Sequence, residues 1–127
     1  MTELLGKAEL VAFLATADAE RARAFFEGTL GLRVVEDTPF ALVLDGGGAT
    51  VRVQKVERVT PPSGTALGWS VPDVAAVARA LGDRGVRCLR YETMEQDDLG
   101  IWTSPAGARV AWFEDPDGNV LSVTETP

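Results

Sequence analysis

The sequence predicts an α+β protein made of two tandem β-α-β-β-β modules, and three observations predict it. A pattern of roughly 60 residues occurs twice along the chain. Each copy opens with an alternating strand that runs into an aspartate, Asp18 or Asp73, followed by an amphipathic stretch that stops at a glycine. Each copy ends in two strand-like runs joined by a turn rich in glycine and aspartate. The expected architecture is a curved split-barrel sheet with the helices on its outer face.

The first copy opens on Glu9–Ala17, where Ala12, Leu14 and Thr16 alternate with Val11, Phe13 and Ala15. Strand alternation assigns the first set to the helix and the second to a concave face. Asp18 is placed to cap the helix by accepting hydrogen bonds from unpaired backbone N–H groups. Ala22, Phe25, Phe26 and Leu30 form the apolar stripe, and Gly31 marks its end. A strand over 32–36 follows, and then a hairpin pairs Phe40–Leu44 with Thr50–Gln54 across Asp45–Gly48.

The second copy repeats the order. Thr65–Ser70 leads to Asp73; Val74, Val77, Ala78 and Leu81 form the stripe; Gly85 ends it. Val86–Tyr91 reads as the next strand. The closing hairpin pairs Arg109–Phe113 with Val120–Thr124 across Asp115–Gly118. The chain therefore divides into module 8–58 and module 64–125 of one domain, 1–127, joined by the Pro-containing linker 59–63.

Composition narrows the function. The 127 residues contain no histidine, which removes the commonest transition-metal ligand and the usual general base near neutral pH. A net charge of −7, with only Lys7 and Lys55 as lysines, argues against a nucleic-acid partner. That charge could steer a cationic ligand or serve solubility alone. No apolar run is long enough for a membrane span. Met1–Lys7 lacks the layout of a signal peptide, and the lone Cys88 fits a reducing cytoplasm.

With these elements in place, the chain resembles the vicinal oxygen chelate superfamily, which includes glyoxalase I, extradiol dioxygenases and bleomycin-resistance proteins. The resemblance runs from about Leu10 to Glu125 and rests on three features. They are the duplicated element order, Asp18 with Arg21–Phe26 and Leu30-Gly31-Leu32, and the Asp115–Asn119 turn. In metal-dependent members the ligands come from the opening and closing strands of each half. The resemblance carries those positions onto Val11 and Ala66, seven residues before the capping aspartates, and onto Arg52 and Ser122, seven after the turn aspartates. None of the first three is a usable ligand and a neutral Ser122 is a poor one, so no metal or other cofactor is expected. An all-oxygen magnesium or calcium site using carboxylates such as Glu9 or Glu125 stays open.

Small and apolar residues at these positions would leave a pocket for an organic molecule. Alternation places Val11, Phe13 and Ala15 on one wall, and Ala66, Gly68 and Ser70 on another. Val110, Trp112, Val120 and Ser122 then line the closing hairpin. Trp112 could stack on a planar or cationic ligand, or fill core; Trp69 falls on the helix side. Arg52 could neutralise a ligand's carboxylate or pair with a protein acid. The segment 91–102 sets Glu95, Asp97 and Asp98 beside Trp102. The resemblance implies an edge that receives a cationic drug; an ordinary solvated loop has the same composition.

The favoured expectation is a metal-independent protein of the bleomycin-resistance type that sequesters an aromatic or cationic compound without catalysis. A homodimer is expected from the resemblance. An enzyme with a histidine-free site using Glu95, Glu125 or Tyr91 is the alternative, and an interaction module without a pocket is a third reading.

Overall fold

The computed structural model describes residues 4–127. The chain divides into two compact units, with the boundary between Val59 and Thr60. The first contains β1 (Val11–Thr16), α1 (Ala19–Arg23), β2 (Arg33–Asp37), β3 (Ala41–Asp45) and β4 (Thr50–Lys55). The second contains β5 (Thr65–Ser70), α2 (Val74–Asp83), β6 (Trp102–Thr103), β7 (Arg109–Glu114) and β8 (Val120–Glu125). Each unit holds a four-stranded sheet, ordered β1-β4-β3-β2 or β5-β8-β7-β6. Opening and closing strands pair in parallel and the remaining neighbours pair antiparallel. The two topologies are the same, as the duplicated pattern requires.

Local chemistry accounts for the helix ends. The Asp18 carboxylate accepts a hydrogen bond from the Arg21 N–H at 3.2 Å, and Asp73 does the same for Ala76 at 3.0 Å. After Arg23 the first helix loosens into a π-helical segment, Ala24–Thr29, in which the Leu30 N–H reaches the Phe25 carbonyl. The second helix ends with the Val86 N–H on the Leu81 carbonyl and the Gly85 N–H on the Gly82 carbonyl. Gly85 takes φ +83°, the left-handed conformation that this double closure needs.

One face of each sheet is buried with the helix stripe. In the first unit Leu14, Leu42, Leu44, Val51 and Val53 are buried, as are Ala22, Phe25 and Phe26. In the second, α2 packs on β7 and β8, with Val74, Ala78 and Leu81 buried along with Ala111, Phe113, Leu121 and Val123. The Asp115 turn is held from within. Its carboxylate accepts from the N–H groups of Asp117 and Asn119, both at 2.9 Å, and from the Asn119 side-chain amide at 2.8 Å. Burial pushes the Asp115 carboxyl up, and these hydrogen bonds pull against it.

The strand expected over 86–91 does not form. The second strand of the second unit is instead the two-residue β6, reached through a long loop. The expected segment alternates well enough for a strand, but its backbone groups bond elsewhere. The Val86 N–H goes to the Leu81 carbonyl and the Leu89 N–H to the Trp112 carbonyl at 2.7 Å, while the side chain of Gln96 takes the Leu89 carbonyl and the Tyr91 N–H. Among the described residues no helix is long and apolar enough to cross a membrane.

Candidate functional site

Residues opposite one another in a sheet share a face, so the register decides what each face presents. In the second unit Gly68 lies opposite Ser122, and Ser122 opposite Trp112. Ser70, Thr124, Val110 and Trp102 form the neighbouring row. This is the face away from buried Leu121 and Val123, opposite the helix. Trp69 pairs with Val123 and takes the helix side. Ala66 does not join the row: the pairing slips between Thr65 and Leu67, so Ala66 sits in a bulge without a register partner.

Three half-buried aromatic rings gather on this open face. Tyr91 meets Trp112 edge-on at 5.5 Å between centroids, and Trp102 lies 6.1 Å from Trp112 at a tilt of 38°. The Gln96 side-chain amide ties the loop to this cluster. Its oxygen accepts the Tyr91 N–H at 2.7 Å, and its nitrogen donates to the carbonyls of Leu89 and Gly100, both at 2.8 Å. The Gln96 backbone also bridges to Trp102. A single amide therefore ties together the loop segments that bear Tyr91 and Trp102, and the Leu89 N–H joins them to Trp112 through its carbonyl. Tyr91 was not among the residues expected to line a pocket, and Gln96 was not singled out; a β-like run facing a polar loop carries no local signal of such a tie.

The acidic segment divides. Glu95 and Asp97 share a groove of about 460 Å³ with Trp102. The Asp97 carboxylate is engaged by its own chain, accepting from the N–H groups of Leu99 and Ile101 at 2.9 Å, with Arg109 4.0 Å away. Asp98 lines a different groove, beside Cys88. Glu125 is committed too: it accepts the Val74 N–H at 2.9 Å, at the start of α2.

In the first unit Phe13 lies opposite Arg52, and Arg52 opposite Val43. Val11 and Phe13 are 40% and 56% exposed on that face, enough to present apolar surface to a ligand or partner. Arg52 makes no ion pair with a carboxylate among the described residues, so the structural pairing considered for it is not found there.

The four strand positions that carry ligands in metal-dependent relatives hold Val11, Arg52, Ala66 and Ser122. Two hydrocarbons, a permanent cation and a neutral hydroxyl do not make a cation site. Among the described residues no three His, Cys, Asp or Glu side chains come together to hold a metal ion. The residues present do not fit the metal that this architecture carries elsewhere.

A family model described as Glyoxalase/Bleomycin resistance protein/Dioxygenase superfamily matches residues 10–123. A member of that superfamily from Sphaerobacter thermophilus DSM 20745 is 25% identical, with a TM-score of 0.72 over 92% of this chain and 95% of the other. TnmS3, an antibiotic binding protein from Streptomyces sp. CB03234, is 24% identical, with a TM-score of 0.71 over 94% and 95%. A glyoxalase/bleomycin resistance protein/dioxygenase from Alicyclobacillus acidocaldarius is 16% identical, with a TM-score of 0.72 over 94% and 92%. No match was found among curated proteins.

Proposed function

We propose that this chain, which belongs to the Glyoxalase/Bleomycin resistance protein/Dioxygenase superfamily, is a metal-independent binding protein for a small aromatic or cationic compound. The observation that carries this reading is the half-buried cluster of Tyr91, Trp102 and Trp112 on the open face of the second sheet. Two indoles tilted to one another offer π faces to a flat ring, and a cation over either face is attracted by its quadrupole. Glu95 in the groove beside Trp102 and the net charge of −7 favour a positively charged guest. Ser122, a small residue, lies between Gly68 and Trp112 on this face. An antibiotic binding protein of the same fold is consistent with a binding role. The reading includes a homodimer, which light scattering on the eluting protein tests.

Tryptophan fluorescence titrated with planar cationic antibiotics tests the binding itself. Each ring contact contributes about 0.5–1.5 kcal/mol, so Trp112→Ala should weaken binding by about twofold to tenfold. A Trp69→Phe variant, altered on the helix side, should bind as the parent does. Indifference to the whole panel at roughly millimolar concentration would overturn the proposal.

A further inference from the structure

We infer that a second groove, between α2 and the loop that follows it, binds a small carboxylate bearing a short apolar chain. This groove holds about 380 Å³, within the range of small-molecule sites, and shares no lining residue with the groove at Trp102. Its inner wall is apolar: buried Ala78 of α2, with half-buried Val86 and Leu99. Cys88 completes that wall. Burial pushes its thiol up, so at neutral pH it stays a small uncharged group.

The mouth carries charge of the opposite sign to the protein as a whole. Arg87 and Arg90 are both exposed there, and neither makes an ion pair with a carboxylate among the described residues. Arg90 is oriented by donating from Nη2 to the Asp98 carbonyl at 2.8 Å, which leaves its other donors available. Guanidinium groups match a carboxylate in geometry, taking it through parallel N–H bonds. Among the lining residues the opposing charge is the Asp98 carboxylate, while the Asp97 carboxylate, engaged by backbone N–H groups, also acts on Cys88. Two lining cations against one lining anion, with an apolar wall, favour a monoanion with a hydrocarbon body over a cation or a neutral polar molecule.

Cys88 is the only cysteine of the chain, so its modification reports on this groove alone. The rate at which the neutral reagent methyl methanethiosulfonate labels Cys88 is measured by mass spectrometry against increasing hexanoate. The expected result is saturable protection at roughly millimolar hexanoate, and none from hexanol. Arg87→Gln should weaken the protection about fivefold, the size of one partly exposed charge pair. Arg87 is exposed and has no described ion-pair partner, so its replacement leaves the fold intact. Asp98→Asn should strengthen the protection. Labelling indifferent to hexanoate, equal protection by hexanol, or undiminished protection in Arg87→Gln would each overturn the inference. The readout uses no tryptophan and is independent of the aromatic face.

Discussion

Replacing Gln96 by methionine keeps the length of the side chain and removes its amide. Three hydrogen bonds disappear: from the Tyr91 N–H at 2.7 Å, and to the carbonyls of Leu89 and Gly100 at 2.8 Å each. All three are partly buried, so water recovers some of what is lost. At a net contribution of about 1 kcal/mol per bond, with partial rehydration, the cost is about 2 kcal/mol. For a protein of this size that lowers Tm by roughly 8 °C. The loss should be local in character, because the loop, not the sheet core, depends on the amide. Urea unfolding and thermal melts measure the stability change, and near-UV circular dichroism reports the Trp102–Trp112 pair. A Gln96→Met protein whose stability falls by less than about 0.5 kcal/mol, with an unaltered near-UV spectrum, refutes the idea that one amide ties these loop segments together.

Two further expectations come from other parts of the molecule. A methyl group added at Gly68 would collide with Ser122 Oγ, yet meet Ser122 Cβ at an ordinary 3.7 Å. Gly68→Ala should therefore cost about 1–3 kcal/mol, and adding Ser122→Ala should recover most of it; an additive double mutant, measured by urea unfolding, would contradict this close fit. Hydrogen bonds from Lys55 and then Arg23 hold the Asp37 carboxyl below the usual carboxylate range. A carboxyl lowered on folding contributes stability above its unfolded pKa and loses it as pH falls through the lower folded value. Asp37→Asn should thus be less stable at neutral pH and lose less on acidification below about pH 4; parallel curves of unfolding midpoint against pH would be the opposite outcome.

What could be read from the sequence was what neighbouring residues decide. Asp18 and Asp73 cap helices through residues three positions on, and Gly85 ends one through its own backbone freedom. The hairpins also followed from local turn chemistry, and alternation put Leu14 and Thr16 on the helix side, where they are buried, and Phe13 on the opposite face, where it is exposed. The failures involve partners distant in sequence or an inserted residue. Val86–Tyr91 has strand periodicity, but whether it pairs with a strand or with the amide of Gln96 depends on the tertiary fold. The bulge at Ala66 arises from pairing with β8, more than 50 positions away. The π-helical turn after Arg23 leaves no mark in an apolar stripe that looks helical either way. Site chemistry behaved alike: a carboxylate in the sequence reads as available, whereas Asp97 and Glu125 are engaged by backbone N–H groups.

On the proposed reading, the open face of the second sheet binds its guest through aromatic rings and without a metal. Isothermal titration of chelator-treated, metal-free protein with a planar cationic antibiotic found by the fluorescence panel tests it most directly. Saturable binding is expected that is unchanged when divalent metals are restored and that weakens up to about tenfold in Trp112→Ala. Binding that appears only after a metal is added, or that is as tight in Trp112→Ala as in the parent, would contradict it.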